Sequence, residues 1–129
     1  MTLKREIKSP SAPAPIGPYC QAIEAAGFVF CSGQIALQAD GTLAPGGVRA
    51  EAALAVRNLV AVLDAAGCRP SDVVKTTIYL IDMADFAVVN EEYGSVFGAA
   101  PAPARATVAV AGLPRGARVE IDAMAVRPG

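Results

Sequence analysis

The sequence predicts an α+β fold, a mixed β-sheet with two helices packed on one of its faces. Three observations lead to this prediction. Residues 48–66 repeat apolar side chains at helical spacing, a second helical pattern follows Asp85, and five further segments have the composition of strands. With 129 residues, 53% of them apolar, the chain is expected to form a single domain, residues 1–129, around one core.

The first half of the chain is predicted to contain an arm, two strands and a long helix. Residues 1–18 are rich in proline and serine, and an extended arm is expected because proline neither donates to a β-ladder nor continues a helix. Strands are expected at 19–24 and 28–33. One apolar stripe indicates the helix, and Gly67 suits its C-terminal cap. The stripe consists of Val48, Ala52, Ala55, Leu59, Val62, Leu63 and Ala66.

The second helix is predicted after a strand at residues 73–81, where β-branched side chains are frequent. Asp82 and Asp85 resemble the residues that cap a helix N-terminus. The apolar side of the helix that follows carries Phe86, Val89, Tyr93, Val96 and Phe97.

The last two strands, at 106–111 and 117–126, are expected to form a hairpin. A Gly-Leu-Pro-Arg-Gly segment joins them and favours a turn. Antiparallel pairing would place Glu120 opposite either Val108 or Thr107, and the sequence leaves this one-residue choice of register open.

One face of the predicted sheet has no helix to cover it. The element order is β-β-α-β-α-β-β, and two helices can cover only one face. Val73, Thr107, Ala109 and Val119 are expected on the other face. A large exposed apolar face favours association, so the chain is predicted to form a homo-oligomer.

The composition excludes several classes of function. Eleven Lys and Arg residues against twelve Asp and Glu residues give a net charge of −1, which argues against a nucleic-acid partner. The chain has no histidine, so a Ser-His-Asp triad, a Cys-His pair and an imidazole metal ligand are all excluded. No apolar run approaches the roughly 18 residues of a membrane span.

The three cysteines are expected to be reduced packing residues. Cys20, Cys31 and Cys68 are odd in number and have neither CxxC spacing nor a neighbouring base. This pattern favours a cytoplasmic protein over a disulfide framework or a zinc site. No metal and no cofactor are expected.

Arg105 and Glu120 are the first candidate site residues, because each is a charge in an unexpected place. Arg105 enters a strand in a stretch that is otherwise uncharged, and its guanidinium is shaped to bind a carboxylate. Glu120 interrupts an apolar strand, where partial burial would suit a general acid or base. The alternatives are an ordinary surface arginine and a solvent-facing glutamate.

Four polar or small residues are weaker candidates for the same site. Tyr19 follows the proline-rich arm, and Ser32 and Gly33 end a strand where a backbone amide could approach a ligand. Asn90 lies in the middle of the second predicted helix. A packed tyrosine, a turn glycine and a solvated asparagine are the alternative interpretations.

These residues stand in an order that closely resembles the RidA/YjgF family of enamine and imine deaminases. The resemblance extends over nearly the whole chain. The matching segments are Ile16–Gln21, Ser32–Ile35, Asn58–Leu59 with Ala65–Gly67, Val74–Thr77, Asp85–Asn90, Pro103–Thr107, Gly112–Pro114 and Val119–Val126.

The resemblance implies a chorismate-mutase-like fold, a homotrimer and clefts between adjacent subunits. It implies that Arg105 holds a substrate carboxylate, and that Glu120 and the backbone carbonyl of Thr107 position a water. Tyr19, Ser32, Gly33 and Asn90 would line the cleft. The implied reaction is hydrolysis of enamines of the 2-aminoacrylate type, through imine tautomers such as 2-iminopropanoate and 2-iminobutanoate, to 2-keto acids and ammonia.

One departure from the family concerns the residues after the arginine. Many relatives carry Ser-Cys where this chain has Ala106 and Thr107, so a thiol mechanism at that position is excluded. Two rival functions remain open. The first is a regulatory protein that binds small carboxylates without turnover, and the second is RNA cleavage, which the neutral charge and missing histidine disfavour.

Overall fold

A six-stranded mixed sheet with two helices on one face forms the molecule, and this confirms the predicted fold class. The computed structural model describes residues 3–129. The strands are β1 (Lys4–Ile7), β2 (Ala22–Ala25), β3 (Phe28–Gln34), β4 (Val73–Leu80), β5 (Ala104–Ala109) and β6 (Val119–Val126). The helices are α1 (Val48–Ala65) and α2 (Phe86–Phe97), and neither is long and apolar enough to cross a membrane.

The predicted hairpin between the last two strands is wrong. The strand order is β1-β2-β3-β6-β4-β5, so β6 lies between β3 and β4 and is antiparallel to both. Among the strands of residues 3–129, β5 pairs only with β4, and that pairing is parallel. Glu120 therefore lies opposite Tyr79 of β4, and not opposite Val108 or Thr107. The segment between β5 and β6 therefore crosses over β4, and β6 pairs its backbone groups with a neighbour on each side.

The core lies between α1, α2 and one face of the sheet. Alternate residues of β6 point into it, and Val119 and Ile121 are fully buried beneath helix residues such as Leu59 and Leu63. The predicted end of α1 is correct to one residue, and Gly67 takes the left-handed conformation (φ 77°) that a helix C-terminus commonly needs.

Within the described residues no helix covers the opposite face of the sheet, as predicted, but its apolar residues are not those expected from the sequence. Val73 and Val119 are buried on the helix face, and Thr107 and Ala109 share that side of their strand. A one-residue error in strand phase moves every side chain to the other face. The residues on the uncovered face include Phe28, Phe30, Val108 and Val126, each 41–43% exposed.

The N-terminal arm contains one strand that the sequence did not predict. β1 pairs antiparallel with β2 and extends the sheet at the edge opposite β5. Arg5 and Arg127 both bind Glu24 across this edge. The prolines that indicated an arm begin only after β1. They prevent regular strand or helix pairing in residues 10–18 but not in the residues before them.

A buried carboxylate ties the start of α1 to the start of β6. Glu51 lies in the first turn of α1 and is 1% exposed. Its Oε1 accepts from the Arg118 backbone N–H at 2.9 Å, and its Oε2 pairs with the Arg118 guanidinium at 2.9 Å. A carboxylate near a helix N-terminus is also favoured by the helix dipole. This contact holds the strand that carries Glu120.

Replacing Glu51 is expected to destabilise the fold. Glu51→Ala leaves the Arg118 N–H without its acceptor, which costs about 1–3 kcal/mol in the free energy of unfolding. The urea midpoint at fixed protein concentration measures the loss. Glu91→Ala removes a solvent-exposed partner of Arg49 and serves as the control, with an expected effect below about 1 kcal/mol. Equal midpoints for the two variants would contradict this account of Glu51.

Candidate functional site

Glu120 lies in a cleft on the uncovered face of the sheet, which we call the Glu120 cleft. Its walls come from the N-terminal arm, the end of β3 and the segment before β6. The lining residues include Pro15, Ile16, Tyr19, Gly33, Pro114 and Glu120. Three of the predicted site residues, Tyr19, Gly33 and Glu120, are therefore brought together here.

Gly33 allows the Glu120 carboxylate to lie directly against the backbone of β3. A Cβ atom at position 33 would contact a carboxylate oxygen of Glu120 and would lie 2.7 Å from its Cδ. No side chain fits in that space, so any residue other than glycine would displace the carboxylate. β3 is also irregular in its pairing with β6 between Cys31 and Gln34, which places Gly33 at a break in the ladder.

The environment of Glu120 favours its protonated form. The residue is half-buried, and burial raises the pKa of its carboxyl above the usual value, with a smaller contribution from the negative charge of Asp122. Asp122 lies two residues further along the same face of β6. It accepts from the Tyr79 hydroxyl at 2.9 Å and from the Thr77 N–H at 3.1 Å. The Glu120 carboxyl group can therefore exchange a proton at a pH closer to neutrality than an exposed glutamate can.

The arm that covers this cleft is fixed by Gln21. The Gln21 side chain is 5% exposed, accepts from the Ser9 N–H at 2.6 Å and donates to the Pro13 carbonyl at 2.9 Å. The Tyr19 hydroxyl accepts weakly from the Ile16 N–H at 3.3 Å. Two side chains therefore hold the proline-rich segment over the sheet, where it forms one wall of the Glu120 cleft.

Ser32 lies beside the cleft and not in its lining. Its hydroxyl donates to the Cys20 carbonyl at 2.6 Å, and its N–H donates to the Gln21 carbonyl at 2.9 Å. Both bonds tie β3 to the chain that follows the arm. In this structure Ser32 holds the residues that border the cleft.

Arg105 lies on β5, over two aromatic rings of α2. Its guanidinium carbon is 5.0 Å from the centroid of the Tyr93 ring and 5.5 Å from that of Phe86. The side chain is half-buried, and within residues 3–129 no carboxylate lies within 4 Å of it. A guanidinium stacked on aromatic rings keeps its N–H donors free along its edge. Arg105 can therefore bind an anion from outside the chain.

Asn90 and Thr107 lie near Arg105. Asn90 is exposed, and it follows Phe86 by four residues and precedes Tyr93 by three, so the three share one face of α2. Within the described residues, the hydroxyl of Thr107 is buried without a hydrogen-bond partner.

The carbonyl of Thr107 points to the free edge of the sheet. The Val110 N–H donates to the Leu80 carbonyl at 2.8 Å, which fixes the phase of β5 against β4. Successive residues of a strand turn their backbone groups to alternate sides, so Arg105 and Thr107 direct theirs away from β4. β5 is the edge strand, and the Thr107 carbonyl is open to a group outside this chain.

The two halves of the predicted site lie on opposite faces of the sheet. Arg105 pairs with Thr76, whose side chain is buried under α2, whereas Glu120 pairs with Tyr79 on the uncovered face. The two residues are also separated by two strand spacings, about 10 Å across the sheet, and by about 10 Å along the strand direction. A single small molecule cannot touch both in one copy of the chain.

Sequence reasoning did not assign Gln21, Phe86, Tyr93 or Asp122 to the site. Phe86 and Tyr93 were expected to serve only as the apolar side of α2. Their spacing from Asn90 is the signal that links them to a candidate residue, because all three must share one helix face. Gln21 and Asp122 carry no comparable signal, since their roles depend on contacts with residues distant in the chain. Residues 3–129 contain no cluster of three or more Cys, Asp and Glu side chains suited to a metal ion.

Comparison with known proteins gives consistent matches over nearly the full chain. Residues 9–127 match the family described as endoribonuclease L-PSP. A RutC family protein of Synechocystis is 52% identical over 130 residues, covering 99% of each chain. The 2-iminobutanoate/2-iminopropanoate deaminase of Mus musculus is 49% identical over 126 residues, covering 97% of this chain and 93% of the deaminase.

A solved structure shares the whole fold. The crystal structure of YyfA from Yersinia pestis, a protein of the conserved Rid family, superposes with a TM-score of 0.92 at 38% sequence identity. The superposition covers 96% of this chain and 99% of YyfA. The sequence match, the relatives and the common fold agree with the motifs found along the chain, and the protein belongs to the endoribonuclease L-PSP family, that is, the RidA/YjgF family.

Proposed function

We propose that the protein is an imine deaminase that hydrolyses small 2-imino acids, of the 2-iminopropanoate and 2-iminobutanoate type, to 2-keto acids and ammonia. The observation that carries the proposal is the half-buried Arg105 guanidinium, held on aromatic rings and facing no carboxylate within residues 3–129. Such a group suits the carboxylate that every 2-imino acid carries. The identity of 49% to the mouse deaminase supports the same reaction.

The reaction needs orientation and one group that exchanges protons. The carbon of a protonated imine is already electrophilic, so water adds to it when the two are held in contact. Glu120 as a carboxylate accepts a proton from the attacking water, and a carbinolamine forms. Glu120 then returns its proton to the nitrogen, and the C–N bond breaks as the carbinolamine hydroxyl gives its proton to the Glu120 carboxylate. The products are a 2-keto acid and ammonia, and the proton left on Glu120 is released to water. A positioned acid–base group of this kind contributes about 10²–10⁴-fold to a rate.

The site is proposed to form between two subunits of a homotrimer. Arg105 and Glu120 face opposite sides of one sheet, so the substrate would contact Arg105 of one subunit and the Glu120 cleft of the next. The edge strand β5 presents Arg105 and the Thr107 carbonyl to such a neighbour. Apolar residues of the uncovered face, such as Phe30 and Val108, would be covered in the assembly.

Removing the Arg105 guanidinium is expected to abolish turnover. Arg105→Ala should lower kcat/KM for 2-aminoacrylate generated in situ by at least about 100-fold, because the substrate loses its charge-assisted anchor. A coupled assay for the keto acid measures this. Arg49→Ala, which removes an exposed arginine paired with Glu91 and Glu92, is the matched control and should keep the wild-type rate.

Two outcomes would overturn the assignment. If Arg105→Ala retains near-wild-type turnover, Arg105 does not anchor the substrate. If the wild-type protein binds 2-keto acids but hydrolyses no imine, the protein is a carboxylate-binding member of the family and not an enzyme.

Mixing two inactive variants tests whether the site is shared between subunits. Arg105→Ala and Glu120→Gln should each be inactive alone. After unfolding and refolding together in equal amounts, about a quarter of the sites should combine an intact Arg105 from one chain with an intact Glu120 from its neighbour. Recovery of about a quarter of the wild-type activity, with three chains per particle by light scattering, is the expected result. A mixture as inactive as its parts, or a monomeric particle, would contradict the shared site.

The pH dependence of turnover should change when the negative charge of Asp122 is removed. Glu120 accepts a proton only as a carboxylate, so activity falls as the pH drops through its pKa. Burial and the Asp122 charge raise that pKa, and Asp122→Asn removes the second cause. The acidic limb of the pH–kcat/KM profile should therefore move to lower pH in Asp122→Asn. Asp64→Asn changes an exposed carboxylate on α1 and should leave the limb in place. A limb that stays in place, or moves to higher pH, in Asp122→Asn would contradict this account.

A further inference from the structure

The Arg105 guanidinium is supported by two residues, Tyr93 and Thr76, that are not among the proposed substrate contacts. Tyr93 is 6% exposed, and its ring lies 5.0 Å below the guanidinium carbon. The Tyr93 hydroxyl is 2.7 Å from the hydroxyl oxygen of Thr76, which is fully buried. Thr76 is also the residue that pairs with Arg105 between β4 and β5. Arg105 is thus linked to Thr76 through the strand pairing and again through the Tyr93 ring.

We propose that Tyr93 and Thr76 are positioning residues that set the affinity of Arg105 for the substrate carboxylate. This proposal rests on the proposed role of Arg105 as the carboxylate anchor. An arginine side chain loses rotational freedom when it binds an anion, and that loss weakens binding. A ring that already holds the guanidinium in place removes part of the loss before the substrate arrives.

The hydroxyl pair fixes the height and tilt of this ring. Tyr93 packs on Phe97 at 5.0 Å between ring centroids, and this contact also stabilises the ring. Packing alone permits the ring to shift along the helix face, whereas a buried hydrogen bond of 2.7 Å to strand β4 does not. If the pair served only to satisfy two buried hydroxyl groups, its loss would lower stability without changing carboxylate binding.

The test compares a charged ligand with an uncharged one. The probes are 2-oxobutanoate, which carries the carboxylate, and 2-oxobutanamide, which does not. Tyr93→Leu should weaken binding of 2-oxobutanoate by about tenfold, because a partly desolvated cation–π contact contributes about that much to affinity. Binding of the amide should stay within about twofold of the wild type. In turnover, the loss should appear mainly as a higher KM for the imino acid, with a smaller change in kcat.

Phe97→Leu is the matched control. It removes an equally buried aromatic ring, 2% exposed, from the same helix, and that ring is not one of the two beneath Arg105. Both variants should lose thermal stability. Phe97→Leu keeps the hydroxyl pair that holds the Tyr93 ring, so it should bind both probes within about 1.5-fold of the wild type. Equal weakening of both probes in Tyr93→Leu, or unchanged binding of 2-oxobutanoate, would overturn the proposal.

Two milder variants keep the test decisive if Tyr93→Leu does not fold. Thr76→Val and Tyr93→Phe each remove one hydroxyl and keep the shape of the residue, and each should weaken 2-oxobutanoate by about threefold without affecting the amide. Wild-type affinity in both would overturn the proposal.

Arg105→Ala separates the positioning role of Tyr93 and Thr76 from the anchoring role of Arg105. If it binds 2-oxobutanoate as the wild type does, the proposed function fails as well. If it loses binding while the Tyr93 and Thr76 variants keep it, only the positioning role fails.

Discussion

The pairing of β6 with β3 on one side and β4 on the other determines where each chemical group of this protein lies. Both edges of β6 are hydrogen-bonded, so its register cannot slip without breaking two ladders. In this register Val119 and Ile121 enter the core, and Glu120 and Asp122 face the open side of the sheet. The buried contact between Glu51 and the Arg118 backbone holds the start of the strand in place.

The two halves of the candidate site are each held rigidly by the fold, but by different means. Glu120 is held by close approach, because Gly33 leaves room for its carboxylate against the backbone of β3. Arg105 is held by stacking, because Tyr93 and Phe86 form a surface under its guanidinium. Arg105 and Glu120 face opposite sides of one sheet, and this separation is the physical reason to propose that neighbouring subunits complete the site.

The sequence predicted the helices and most of the strands, but not the order of the strands. Of the candidate residues, the structure brings Tyr19, Gly33 and Glu120 together in one cleft. Helix α1 was found to within one residue because its signal is local, a repeat of apolar side chains with Gly67 at its end. The hairpin prediction failed because a turn-like segment before β6 favours a local partner, and the choice between that partner and β3 with β4 depends on the whole sheet. The same gap led to the wrong prediction that Val119 lies on the uncovered face of the sheet, whereas it is buried in the core.

The sequence by itself determined which kinds of site this protein cannot contain and which residues are candidates for another kind. A chain without histidine forms no Ser-His-Asp triad, no Cys-His pair and no imidazole metal site, and Arg105 and Glu120 stand out as charges in apolar strands. The tertiary structure alone decided that these two residues face opposite sides of the sheet and that Tyr93 supports one of them. Side-chain direction in a strand depends on register, and register is set by hydrogen bonds between residues far apart in the chain, which no local pattern encodes.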